Sequence, residues 1–130
     1  MTIFPNYDGV KKASLKLKGL IRVTPLDLNK RLSNSFGASI FLKREDLQQI
    51  RSFKIRGAYN KISSLNSEER RKGIVCASAG NHAQGFAYSC KKLKISGEIY
   101  MPATTPKQKI TQVKMFGGEY IKVILSGDTY

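Results

Sequence analysis

Lys54 stands in the run Ser52-Phe53-Lys54-Ile55-Arg56-Gly57-Ala58, at the head of a helical pattern. A lysine so placed can hold a phosphate, form a Schiff base with an aldehyde, or do neither and sit solvated at the surface. Its amine has a pKa of about 10.4 in water, and partial desolvation favours the nucleophilic free base. A second stretch, Ser78-Ala79-Gly80-Asn81-His82-Ala83-Gln84-Gly85, is built of small and polar residues. It follows a compact apolar run and precedes a helical one. Free N–H groups at a helix start favour an anion. Gly80 and Gly85 do not make a nucleotide-binding loop, because Phe86 and Ala87 stand where that motif needs Lys and Ser or Thr. The glycine spacing of a dinucleotide fingerprint is missing too. The plain alternative is a tight strand-to-helix turn with no ligand. His82 by itself reads as a loop histidine. One His and two Cys at these spacings do not make a zinc site.

The elements that must position these residues follow from periodicity. Ile55, Ala58, Tyr59, Ile62 and Leu65 fall on one face of a helix. Residues 40–45 before it read as a strand leaving the core. That would put Lys54 at the mouth of a helix that follows a strand, where open α/β sheets bind ligands. Ile74-Val75-Cys76-Ala77 suits a buried parallel strand. Ala83, Phe86, Ala87, Cys90 and Leu93 predict a helix over 81–93. Further strands are expected at 98–101 and 120–125. A helix is expected at 106–117, capped by Thr105 with Gln108 reaching back and stopped at Gly117-Gly118. Earlier in the chain, 7–18 reads as a weak amphipathic helix and 33–39 as a turn-rich connector. Asn66-Ser67-Glu68-Glu69 is a helix-start signal for a short turn ending near Gly73. The fold class is α/β, with a parallel sheet covered by helices.

Together the two stretches resemble the pyridoxal-phosphate dehydratases of serine and threonine. That family carries S-F-K-x-R-G-A at its cofactor lysine and S-A-G-N-H-A-Q-G in its substrate loop. The L-K-R-E-D-L-Q run ending at Gln48, Met101-Pro102 to Thr105-Pro106, Phe116-Gly117-Gly118 and Gly127-Asp128-Thr129 match as well. The resemblance runs from about residue 20 to the end and is strongest to the biosynthetic threonine dehydratase (threonine ammonia-lyase) branch, of which Arg51 before Ser52 makes a variant. It implies a tryptophan synthase β-like fold (fold type II), N-terminal portion only. Residues 1–50 would be an N-terminal arm and the start of the large domain. Residues 51–130 would be most of the small domain. The rest of the large domain, with its phosphate loop and its pyridine partner, would lie outside, so weak or no activity is expected of this chain alone.

The resemblance also implies roles. Lys54 would be the Schiff-base lysine and the base for the substrate's α-proton. Phe53 would lie near the ring of pyridoxal 5'-phosphate; ordinary core packing is its alternative. Asn81 would reach the ring hydroxyl oxygen. Ser78, Gly80, Asn81, His82 and Ala83 would clamp the carboxylate of L-threonine or L-serine. Threonine would give 2-oxobutanoate and ammonia, the first step toward isoleucine. Serine racemases of this fold place a serine directly before the Gly-Asn pair as a second proton carrier. Ala79 stands there, which implies elimination with little racemisation.

Composition bounds the rest. The 130 residues suit one globular unit with a modest core. Twenty-three Lys+Arg against 9 Asp+Glu give a net charge of +14, which raises nucleic-acid binding as a class. The charges are spread along the chain, and no RNA- or DNA-reading pattern accompanies them, so that class is disfavoured. Arg70-Arg71-Lys72 and Lys91-Lys92 read as solvated helix ends. Cys76 and Cys90 fall on apolar positions and read as buried thiols of a reducing compartment. With no secretory signal or membrane span, a cytoplasmic protein is expected. A homo-oligomer or a complementary C-terminal chain is the expected assembly, and an inactive remnant or interaction fragment is the competing reading.

Overall fold

The computed structural model describes residues 4–129. The chain opens with α1 (Tyr7–Leu17), started by the Asn6 side chain, which accepts from the Gly9 N–H at 2.8 Å. Only Leu17 of this helix is buried; Val10 and Leu15 remain exposed. Two short strands, β1 (Leu26–Leu28) and β2 (Phe41–Lys43), then pair antiparallel with Leu26 opposite Lys43. Between them lies α2 (Lys30–Phe36), capped by Asn29 and stopped by Gly37 at φ 60°. The turn-rich connector expected over 33–39 is therefore helical through Phe36. Ser33 and Ser35 read as turn residues, but the Asn29 cap and left-handed Gly37 bracket a helix around them.

After a 3-10 turn at Glu45–Leu47 come α3 (Lys54–Ser63) and α4 (Ser67–Lys72). The capping box is here. Asn66 accepts from the Glu69 N–H at 2.9 Å, and Glu69 accepts from the Asn66 N–H at 2.8 Å. Then β3 (Ile74–Ala77), α5 (Asn81–Leu93), β4 (Gly97–Met101), α6 (Lys107–Gly117) and β5 (Ile121–Leu125) alternate. The three strands form a parallel sheet in the order β3-β4-β5, with Ile74 beside Gly97 and Gly97 beside Ile121. The basic clusters lie in the last turns of α4 and α5, exposed and favourably placed against the helix dipoles.

The core lies between one face of this sheet and α5, with α3 and α6 against α5. Ile62, Ala83, Phe86, Ala87, Cys90, Ile99 and Val113 form it. Cys90 is fully buried and Cys76 half-buried; burial pushes their thiols up to about 12 and about 11. Both thiols are therefore held in the unreactive protonated form. The opposite sheet face carries Val75, Ala77 and Tyr100, all exposed, so β3 is parallel but not buried on both sides.

Thr105 does not cap α6. Its side chain turns inward, 8% exposed, and Oγ1 has no hydrogen-bond partner among the described residues, while Pro106 occupies the cap position without an acceptor. Among the described residues no helix is long and apolar enough to cross a membrane.

Candidate active site

Lys54 is the first residue of α3. Phe53 before it offers no side-chain cap, and no acid sits in the first turn. A cation at that end opposes the helix dipole. Local rules broken in this way mark functional positions. Lys54 is half-buried, and its Nζ stands 5.1 Å from the centroid of the Phe53 ring. Phe53 itself is 58% exposed, so it is not a core residue.

The strand-to-helix argument fails for Lys54. Strand β2 belongs to the antiparallel ribbon, not to the parallel sheet, and a 3-10 turn separates it from α3. The turn at the carboxyl end of a parallel strand is instead Ser78–Gly80, after β3. Helix packing brings the two stretches together. A Cβ built on Gly85 of α5 would stand 3.1 Å from the Lys54 carbonyl carbon and oxygen and 3.2 Å from the Ile55 nitrogen. The first turn of α3 and the second turn of α5 therefore meet backbone to backbone, an approach that a side chain at Gly85 would crowd by a few tenths of an ångström. Ser89, one turn further along α5, donates its buried hydroxyl to the Gly85 carbonyl at 2.7 Å.

A cavity of about 440 Å³ opens between these helices and β3. Phe53, Lys54, Lys61, Val75, His82 and Phe86 are among its lining residues. The Ser78 N–H donates to the Tyr100 carbonyl, extending the sheet, and Ser78 Oγ accepts from the Gly80 N–H at 3.3 Å. Gln84 makes the first backbone bond of α5, to the Gly80 carbonyl. The N–H groups of Asn81, His82 and Ala83 ahead of it thus have no acceptor within the helix. The Asn81 and His82 side chains are exposed, whereas the Ala83 methyl is fully buried in the core. Ala83 can reach a ligand only through its backbone. The pKa of His82 is lowered, first by partial burial of its ring and then by the nearby Lys54 ammonium.

The residues present fit an anionic aromatic aldehyde. They offer a primary amine, a flat ring beside it and helix-start N–H groups; the adjacent Ser52 hydroxyl, outside the cavity lining, is buried with no partner among the described residues. A Cβ on Gly57 or on Gly80 would meet nothing within 4 Å, so open space remains beside both.

A family model described as "Pyridoxal-phosphate dependent enzyme" matches residues 17–130. The chain belongs to the pyridoxal-phosphate dependent enzyme family. A biosynthetic L-threonine dehydratase of Halalkalibacterium halodurans is 58% identical over 118 residues, covering 91% of this chain and 28% of that protein. The processed form of threonine deaminase isoform 2 from Solanum lycopersicum superposes with a TM-score of 0.78 at 40% identity, over 97% of this chain and 37% of that one. Maize serine racemase superposes with a TM-score of 0.86 at 32% identity, over 95% of this chain and 37% of that one. The fold is the type II fold of this family, represented by its N-terminal portion. The chain spans under a third of the length of the curated relatives it matches.

Sequence reasoning assigned no role to Thr24, Glu45, Arg56 or Gly85. Arg56 donates to Glu45 through Nε at 2.8 Å and Nη2 at 2.7 Å, and the Thr24 hydroxyl donates to the same carboxylate at 2.6 Å. The Arg56 guanidinium holds the Glu45 carboxyl well down, at about 2. Glu45 and Arg56 both lie inside the stretches that carry the resemblance. Their pairing spans eleven positions and could not be read from local spacing.

Proposed function

We propose that this chain carries the cofactor lysine and the substrate-carboxylate turn of a threonine dehydratase that converts L-threonine to 2-oxobutanoate and ammonia. The observation that carries this reading is that Lys54 and His82, in the first turn of α5, line one cavity, with the Gly85 contact holding α5 against the Lys54 backbone. The names of the relatives support it. Pyridoxal phosphate, when bound, supplies the ring that stabilises negative charge at the substrate α-carbon. Lys54 would hold the cofactor through Nζ, and its free amine would serve as the base for the substrate α-proton. Phe53 presents its ring beside that amine. Asn81 would donate to the cofactor's ring hydroxyl oxygen. The N–H groups of Asn81, His82 and Ala83 receive the carboxylate, with Ser78 and Gly80 shaping the turn. L-Serine is the alternative substrate, since no residue described here isolates a methyl pocket.

The proposal includes a cytoplasmic setting, which suits the two free thiols. A second reading, action by association with a complementary chain or another copy, is favoured by the exposed apolar side chains of Val23 and Val75.

The test is to mix the chain with pyridoxal phosphate, reduce with borohydride and map the labelled peptides. Label concentrated on Lys54 is expected. Label spread evenly over the sixteen lysines would overturn the assignment.

A further inference from the structure

We propose that Glu45 and Arg56 are positioning residues for Lys54, gripping the back of the helical turn whose front carries the amine. The inference rests on the assignment of Lys54 as the Schiff-base lysine. Residues two apart on a helix point about 200° away from each other. Arg56 therefore faces away from the cavity that Lys54 faces. Its fork closes on the Glu45 carboxylate at 2.7 and 2.8 Å. Side-chain exposure is 15% at Glu45 and 36% at Arg56, so the pair is partly shielded from water and salt.

The platform behind the fork is itself fixed. The Gln48 side chain, in a residue 2% exposed, accepts from the Arg22 N–H at 3.1 Å and donates to the Arg22 carbonyl at 2.8 Å. Gln49 donates to the Leu20 carbonyl at 2.9 Å, and Thr24 adds the third bond to Glu45. Residues 45–49 are thus laced to residues 20–24, and Arg56 ties α3 to this platform through Glu45. Helix α3 has neither a capping side chain nor an acid in its first turn. The fork supplies the constraint that a cap would otherwise give. Gly85 contacts the same turn from the α5 side. A bidentate guanidinium–carboxylate pair fixes orientation as well as distance.

The test uses Glu45→Gln and Arg56→Lys, each mixed with pyridoxal phosphate, reduced with borohydride and mapped. Lysine keeps the charge but cannot make the fork. The buried Cys90 thiol reports the fold, since it stays blocked to a thiol reagent in a folded chain. Label at Lys54 is expected to fall roughly tenfold in both variants, as small misplacements of a reacting group do. Label at the other fifteen lysines is expected to hold steady, which a general loss of structure would not produce. Should a charge variant fail to fold, Thr24→Val removes one bond to Glu45 and keeps the pair; a loss of about threefold at Lys54 is expected there. Unchanged Lys54 label in folded variants would overturn the positioning role and leave the lysine assignment standing. Label scattered over the lysines of the unaltered chain would overturn both.

Discussion

Three hydrogen bonds converge on the Glu45 carboxylate, two from Arg56 and one from Thr24. They favour the ionised form, so its pKa falls from an ordinary 4.5 to about 2, with the Arg56 bond the largest cause. A carboxyl lowered in the folded state adds stability above its unfolded pKa. That stability disappears as pH falls through the folded value. The window is therefore from about pH 4.5 down to about 2, and the amount at stake is on the order of 3 kcal/mol. Glu45→Gln should flatten this part of the stability profile. Urea melts between pH 2 and 6 check it: unaltered chain and variant should converge at the acid end and diverge toward pH 6. Parallel curves would mean that the carboxylate has the same pKa in both states. The residues of the candidate site were singled out in the sequence because Lys54 and Asn81 sit in motifs whose chemistry is local. The Glu45 pair was not, because its partner is set by how α3 folds back on the 3-10 turn.

Two glycines in helices separate what an element needs from what its sequence prefers. Glycine inside a helix costs about 1 kcal/mol against alanine. In α3, a Cβ on Gly57 would meet nothing within 4 Å, so Gly57→Ala should stabilise the chain by about 0.5–1 kcal/mol. In α5, a Cβ on Gly85 would stand 3.1 Å from the Lys54 carbonyl, and the neighbour is backbone. Gly85→Ala should instead destabilise by about 1–3 kcal/mol, as overpacking does. Denaturant melts of the two variants give the signs, and stabilisation by both would remove Gly85 as the contact that seats Lys54. Helices α3, α5 and α6 were legible because their apolar residues recur with a clear period, and β3 because it is a compact apolar run, although the burial expected of it holds on one face only. Three features were not. Strand β1 is three exposed residues with no alternation to read. Helix α2 is seven residues with none buried, so its ends are set by Asn29 and Gly37 and not by a stripe. The Thr105–Gln108 pattern matches a capping box, but burial of Thr105 overrides it, whereas the same logic at Asn66–Glu69 is realised on an exposed helix.

At the scale of the molecule, the parallel sheet presents an imbalance. Parallel sheets ordinarily have both faces covered. Here α5 and α6 pack on the face of Ile74, Cys76, Ile99 and Val123, while Val75, Ala77 and Tyr100 stand exposed on the other. Val75 is 69% exposed on an edge strand, and Val23 and Phe41 are exposed elsewhere. Bare apolar surface and an open strand edge favour association. The net charge of +14 opposes it through repulsion between copies. Repulsion acts over a Debye length of about 10 Å at 0.1 M salt and only about 3 Å at 1 M, whereas apolar contact does not weaken with salt. The balance should therefore tip with ionic strength. Sedimentation velocity is expected to give a monomer at low salt and a rising mean mass as salt increases. Val75→Lys, which puts a charge on the bare face at the edge, should delay that rise to higher salt. A chain that stays monomeric from low to high salt would show that the bare face does not drive association. A rise that Val75→Lys leaves unaltered would move the contact away from β3.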